Sequence, residues 1–121
     1  MKTNYEQIVD VTKIGQHSAA NMNAIFAMAE QERFTASIDD SPRRLLLCID
    51  VQKDFIEGGA LAVPGSIGDV ERMTRFIYNN IEGISSIMCS LDTHIAHQIF
   101  HPCWWVNSAG DHPDPYTVPF L

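Results

Sequence analysis

The chain has few basic residues and no long apolar run, and each shortage excludes a class of protein. Eight lysines and arginines stand against 15 aspartates and glutamates, which gives a formal net charge of −7. An acidic chain whose only basic cluster is the Arg43-Arg44 doublet is not expected to bind nucleic acid. No apolar run approaches the roughly 20 residues that span a bilayer, and residues 1–10 lack the layout of a signal peptide. We therefore expect no membrane partner and a cytoplasmic location.

Cysteine is also scarce, with only Cys48, Cys89 and Cys103 present. An odd number of cysteines without a secretory signal favours free thiols over a disulfide framework. Cys48 and Cys89 lie within apolar runs and are predicted to be buried in the core. Cys103 could be a reactive thiol or a metal ligand, but packing beside Trp104 is the preferred interpretation. The length of 121 residues and the hydrophobic fraction of 45% indicate one small globular domain.

Residues 1–42 are predicted to form a helical N-terminal extension, and residues 43–121 the domain itself. Apolar residues recur at helical spacing over residues 18–33, where Ser18 or Asn21 could cap an amphipathic helix. A polar segment containing a proline then separates this helix from the domain and suits a linker. The extension is expected to carry no chemistry of its own.

Two short apolar runs, residues 44–49 and 85–91, each lead to an aspartate, Asp50 and Asp92. Helical spacing over residues 67–82, with Ser66 as the predicted N-cap, separates the two runs. This order predicts a βαβ unit with parallel strands. The unbroken apolar character of the first strand predicts burial on both of its faces. Parallel strands end at one edge of the sheet, where open α/β sheets bind ligands, so Asp50 and Asp92 are expected to share one crevice.

The segment after the second strand is rich in proline and is predicted to be loop. Two strong strands fall short of the three or more that an independent sheet normally needs. We therefore expect an α/β fold that stops early and leaves an open sheet edge.

Histidines are concentrated in this predicted loop. Asp92 and His94 alternate along an extended chain, so that their side chains share one face. A third histidine from a nearby loop would complete a metal site with an open position for water, the arrangement of catalytic zinc. His112 is one candidate, whereas hydrogen bonds to loop backbone are the preferred interpretation for His97 and His101.

One motif is more specific than these patterns. Residues 50–55 read Asp-Val-Gln-Lys-Asp-Phe, and residues 57–65 continue with Glu-Gly-Gly-Ala-Leu-Ala-Val-Pro-Gly. Together with Asp92-Thr-His94, this makes residues 44–117 resemble the N-terminal part of the nicotinamidase/isochorismatase-like cysteine hydrolases. The resemblance implies a doubly wound parallel α/β sheet, here apparently truncated after the second strand. It also implies hydrolysis of a small amide, as in the conversion of nicotinamide to nicotinate and ammonia.

The resemblance assigns roles to individual residues. Asp50 would be the catalytic carboxylate, and Phe55 would line the substrate pocket. Gln52 would hydrogen-bond either in that pocket or within the sheet. A divalent metal, most readily zinc, would be held by Asp92, His94 and His112, with His97 or His101 as less favoured alternatives.

The family triad also needs a lysine and a nucleophilic cysteine from later strands. None of the three lysines (Lys2, Lys13 and Lys53) and none of the three cysteines matches those positions. We therefore expect no amidase turnover on C–N bonds from this chain alone. Two alternatives are a non-catalytic metal or small-molecule binding module, and a complementation fragment. The fragment would be held in a homo-oligomer or by a partner along the open sheet edge.

Overall fold

The computed structural model describes residues 1–95, 97–99, 101–115 and 117. The chain divides into two compact units, residues 1–91 and residues 92–121. The boundary predicted between residues 42 and 43 stays a prediction.

The sheet lies in the first unit and pairs strand β1 (Leu45–Cys48) with strand β2 (Ser86–Cys89). The two strands are parallel, and the register places Leu45 opposite Ser86 and Cys48 opposite Cys89. The prediction of a parallel α/β unit is thereby confirmed, although both strands are shorter than expected. Among the described residues the sheet has these two strands alone.

Over the described residues, three α-helices accompany the sheet: α1 (Tyr5–Ile8), α2 (Met22–Glu32) and α3 (Ser66–Asn80). Helix α3 is the predicted crossover helix, and a 3-10 turn over Ile81–Gly83 follows it. The prediction that Ser66 caps this helix is wrong. Gly65, with φ of 83°, occupies the N-cap, and Ser66 is the first helical residue. The Ser66 hydroxyl is buried and accepts a hydrogen bond of 3.0 Å from the Glu57 amide, so the preceding loop uses the oxygen that would have capped the helix.

Helix α2 begins four residues later than the start predicted from sequence. Its N-cap is Asn21, whose side chain accepts from the Ala24 amide at 3.2 Å, one of the two caps considered. The apolar residues Met22 and Phe26 remain 54% and 60% exposed, so the predicted apolar face is largely uncovered. The buried residue of this helix is instead Glu32.

Residues 1–9, the N-terminal segment, dock on α3 through Tyr5. The Tyr5 side chain is buried, and its ring meets the Tyr78 ring edge to face with centroids 5.5 Å apart. The Arg75 guanidinium lies 4.3 Å from the centre of the Tyr5 ring, within cation–π range. The Tyr5 hydroxyl lies 2.7 Å from Thr74 Oγ1, and the Tyr78 hydroxyl donates to the Thr3 carbonyl at 2.9 Å. The N-terminal segment of the predicted extension therefore packs against the crossover helix.

Glu32 holds the same segment from the end of α2. Its carboxylate accepts from the backbone amides of Lys2 and Thr3, both at 2.7 Å, and from the Thr3 hydroxyl at 2.5 Å. These bonds, led by the one from the Thr3 hydroxyl, lower the pKa of Glu32 to about 2 because they favour the charged carboxylate.

The hydrophobic core is small. Among the described residues, the buried apolar side chains are Tyr5, Cys48 and Ile56, and none is less than 2% exposed. The prediction that β1 is buried on both faces is wrong, since Leu45 and Leu47 are 58% and 52% exposed.

Met88, the register partner of Leu47, is 59% exposed. We call Leu45, Leu47 and Met88 the uncovered sheet face. The apolar run predicted the strand correctly, but within the described part of the chain no element covers this side of it.

The described residues of the second unit are mostly turn and loop, as predicted, with a 3-10 turn over Pro102–Trp104. Among the described residues of both units, no helix is long and apolar enough to cross a membrane.

Candidate functional site

Asp50 follows β1 in a backbone conformation that few non-glycine residues adopt. Its φ of 57° lies in the left-handed region, which aspartate tolerates better than most residues. The Asp50 amide donates to Ser90 Oγ at 3.0 Å, and the same hydroxyl donates to Asp50 Oδ1 at 3.3 Å. Ser90 follows β2, so this pair of hydrogen bonds ties together the two strand ends that share one edge of the sheet. The Asp50 carboxylate is thus oriented by a residue that the sequence did not single out.

The motif after Asp50 folds back on itself. The Leu61 amide donates to the Asp54 carbonyl at 2.8 Å, and the Val63 amide donates to the Phe55 carbonyl at 3.0 Å. Gly59 makes this possible, because a Cβ there would lie 2.2 Å from the Lys53 carbonyl oxygen. Gly59 therefore allows two backbone segments to approach closely.

A cleft of about 420 Å³ opens between this loop and the start of α3. Asp50 and Phe55 both line it, so the structure brings together two of the predicted site residues. The remaining described residues that line it are Ile49, Val51, Ile56, Val63, Ser66, Asp69 and Val70. The cleft is predominantly apolar with carboxylates at Asp50 and Asp69, a lining suited to a small, partly apolar ligand.

Asp69 also lines the cleft, although its position could not be assigned to a site from the sequence. Its carboxylate forms an ion pair with Arg72 on the exposed side of α3. Gln52 is not among the described cleft residues, and its side-chain amide donates to Asp54 Oδ2 at 3.4 Å. This contact joins two residues of the turn after Asp50, where a 3-10 helix spans Lys53–Phe55.

Asp92 and His94 form the second group of predicted site residues, and both lie in the second unit. His94 Nε2 is 3.2 Å from Asp92 Oδ2, and His94 Nδ1 is 3.1 Å from Gln98 Oε1. That Gln98 oxygen also accepts from the Ile95 amide at 2.9 Å, which identifies it as the amide oxygen rather than the nitrogen. His94 Nδ1 must therefore carry a hydrogen, and Nε2 is the ring nitrogen that faces the Asp92 carboxylate.

The other histidines bond to loop carbonyls. His112 Nδ1 donates to the Trp105 carbonyl at 2.7 Å, and His101 Nε2 donates to the Ile95 carbonyl at 2.8 Å. His101 thus has the backbone hydrogen bond predicted for it, and His97 is exposed. In a neutral His112 ring, the lone pair lies on Nε2.

The described residues contain no group of three His, Cys, Asp or Glu side chains positioned to hold a metal ion. Asp92 and His94 are together, and the predicted third ligand, His112, stays a prediction. The shared crevice predicted for Asp50 and Asp92 also stays a prediction, because the two residues belong to different units.

Comparison of the chain with protein-family models, with curated proteins and with solved structures finds no match.

Proposed function

We propose that the chain provides the proton-transfer carboxylate and part of the substrate pocket of an isochorismatase-like amide hydrolase. The observation that carries this proposal is the environment of Asp50. Its left-handed backbone is the kind of outlier that concentrates at functional sites. The hydroxyl of Ser90 orients its carboxylate, and its side chain lines the same cleft as Phe55.

In the complete reaction, Asp50 takes the proton of a cysteine thiol, and the thiolate attacks the carbonyl carbon of a small amide. The amine or ammonia leaves, and water hydrolyses the resulting thioester. Phe55 would pack against the apolar part of the substrate. No described residue that lines the cleft is a cysteine or a lysine, so the nucleophile and the lysine have to come from a second polypeptide segment.

Measurements of ammonia release and of nicotinamide binding each test a different part of this proposal. The purified chain with added zinc should release no ammonia from nicotinamide. Robust release that survives Asp50→Ala would refute the role of Asp50.

Nicotinamide should nevertheless bind weakly, with a dissociation constant of about 1 mM or higher, because part of the site is present. Chemical-shift changes in NMR should cluster at Phe55 and Val63, which lie on the cleft.

Matched variants sharpen the binding test. Phe55→Ala should weaken nicotinamide binding, whereas Phe34→Ala should not, because Phe34 is a 42% exposed phenylalanine that does not line this cleft. Asparagine tolerates the left-handed backbone as aspartate does, so Asp50→Asn removes only the charge of this side chain. Shifts scattered over the surface, or equal effects of the two phenylalanine variants, would contradict a pocket at Phe55.

A second candidate function, a divalent-metal binding module, is favoured by the geometry at Asp92 and His94. Zinc binds imidazole nitrogen and carboxylate oxygen at about 2.0–2.2 Å, so ligand atoms 3.2 Å apart would subtend about 100° at the metal, close to tetrahedral. The hydrogen bond from His94 Nδ1 to Gln98 is the supporting contact that metal-bound histidines usually have. His112 makes the same kind of contact to the Trp105 carbonyl.

If zinc is bound, Asp92, His94 and His112 would hold it, and it would act as a Lewis acid toward a substrate oxygen or water. Elemental analysis after gel filtration should then find one zinc ion per chain. His94→Ala should lower the affinity at least about tenfold, and His97→Ala, a change at an exposed histidine nearby in sequence, should not. Equal loss in both variants would contradict this ligand set and favour His97 as a ligand.

A third candidate function, a complementation fragment, is supported by the uncovered sheet face and the short two-strand sheet. Leu47→Lys in the centre of that face should reduce self-association or partner capture, measured by sedimentation velocity. A well-folded monomer at all concentrations, unaffected by the change, would count against this candidate.

A further inference from the structure

Cys48 and Cys89 form a pair that neither the predicted mechanism nor the predicted metal site uses. They are register partners at the last position of the β1–β2 ladder. Paired residues on adjacent strands point to the same side of a sheet, and adjacent strands lie about 4.8 Å apart. That spacing falls within the roughly 4.4–6.8 Å between Cα atoms that a disulfide spans. The Ser90 amide donates to the Cys48 carbonyl at 2.9 Å, which fixes this register just beyond the pair.

The two thiols differ in access to solvent. Cys48 is 5% exposed, whereas Cys89 is exposed, which corrects the prediction that both are buried. Burial raises the pKa of the Cys48 thiol, and the charge of Cys89 and a hydrogen bond with it raise this pKa further. An oxidant would therefore reach Cys89 first and find Cys48 beside it.

We propose that Cys48 and Cys89 are a redox modification site that forms a reversible intramolecular disulfide. With hydrogen peroxide as oxidant, the Cys89 thiolate attacks one peroxide oxygen, the O–O bond breaks, and hydroxide leaves and is protonated to water. This gives a sulfenic acid at Cys89. The Cys48 sulfur then attacks the Cys89 sulfur, the S–O bond breaks and a second water leaves. Sulfur loses two electrons in all, and the peroxide gains them. A dithiol reductant reverses the reaction by thiol–disulfide exchange.

The location gives this modification a consequence at the candidate site. Cys48 is two residues before Asp50, and Cys89 directly precedes Ser90, whose hydroxyl orients the Asp50 carboxylate. A covalent bond between the two strand ends would constrain the backbone on both sides of that hydrogen bond. Oxidation and reduction should therefore shift the NMR signals of Asp50 and Ser90 whether or not the hydrolase proposal is correct.

The decisive experiment maps disulfides in the full-length chain. The Cys103→Ser variant leaves the pair as the only thiols. It is treated with hydrogen peroxide, the remaining thiols are blocked, and the protein is cleaved with trypsin and with a protease that cuts before aspartate. Cleavage at Arg44, Asp50, Arg75 and Asp92 places Cys48 in residues 45–49 and Cys89 in residues 76–91. Mass spectrometry should find these two peptides joined, with the mass of two hydrogen atoms lost, and separate again after reduction.

Two variants and one independent reagent complete the test. Cys48→Ala and Cys89→Ala should each abolish the joined peptide, and circular dichroism shows whether each variant is folded. Phenylarsine oxide bridges two neighbouring thiols with loss of one water, so one arsenic should bind per Cys103→Ser chain and none per Cys48→Ala, Cys103→Ser chain.

Three results would overturn the proposal. The first is a sulfenic or sulfinic acid at Cys89 that never joins to Cys48. The second is a Cys89–Cys89 bond between two chains on a non-reducing gel, and the third is failure of the folded chain to bind the arsenical.

Discussion

Replacing Tyr5 tests most directly how the first unit is held together. Tyr5 is one of the few buried apolar side chains among the described residues, and it connects the N-terminal segment to α3. Two substitutions separate its contributions. Tyr5→Phe removes only the hydroxyl, whereas Tyr5→Ala removes the ring with its contacts to Tyr78 and Arg75.

The hydrogen bonding determines the effect of Tyr5→Phe. Thr74 has one hydroxyl proton and donates it to the Glu71 carbonyl at 2.9 Å, so Tyr5 must be the donor in its bond with Thr74. Removing that donor leaves Thr74 with its bond to Glu71 and should cost about 1 kcal/mol of unfolding free energy. Tyr5→Ala should cost about 3–5 kcal/mol, the range for truncating a buried aromatic ring. A domain of this size has only about 5–15 kcal/mol in total.

Circular dichroism at the helix band, recorded during urea denaturation, measures these changes in unfolding free energy in the first unit. Tryptophan fluorescence follows the second unit instead, because Trp104 and Trp105 both lie there. Phe26→Ala is a matched control, since it truncates a 60% exposed aromatic ring and should cost no more than about 0.5 kcal/mol. If Tyr5→Ala costs no more than Phe26→Ala, Tyr5 is not buried against α3 in solution, and the N-terminal segment is not docked there.

Three further predictions follow from other contacts. Because the pKa of Glu32 falls from 4.5 to about 2 on folding, its stabilising effect should be complete above pH 4.5 and disappear as the pH falls toward 2. Glu32→Gln should remove that part of the pH dependence of urea unfolding, and an unchanged loss of stability at acidic pH would contradict this prediction. Gly59→Ala should open the loop around the cleft, because the new Cβ would lie 2.2 Å from the Lys53 carbonyl oxygen. Amide hydrogen exchange at Leu61 should then be faster, and unchanged protection of this amide would argue against the close approach of Gly59 to Lys53. Ser90→Ala should free the Asp50 carboxylate and cost about 1 kcal/mol, and an NMR signal of Asp50 that does not move would show that Ser90 does not orient it.

The sequence allowed the βαβ unit to be predicted because its signals are local. The apolar runs of β1 and β2 and the helical spacing of α3 need only neighbouring residues to be read. Ser66 shows where local reasoning failed. It has the residue type and the position of an N-cap, but its hydroxyl accepts from Glu57, nine positions earlier in the chain.

Burial and docking could not be predicted for a related reason. The apolar run in β1 reports how hydrophobic Leu45 and Leu47 are, not which element covers them. The bond between Tyr5 and Thr74 joins residues 69 positions apart, and no periodicity encodes such a contact. In the candidate site, Asp50 was recognisable from its motif, whereas the contribution of Ser90 depends on the register of the two strands.

The docking of residues 1–9 on α3 also determines when this chain can fold during synthesis. These residues leave the ribosome before α3 does, and the bond between Thr3 and Tyr78 joins positions 75 apart. At typical elongation rates of about 5–20 residues per second, the segment waits about 4–15 s for its partner. The apolar residues of β1 also emerge before β2 and remain without their strand partner in the meantime. The nascent chain is therefore expected to be a chaperone client until α3 and β2 have both emerged.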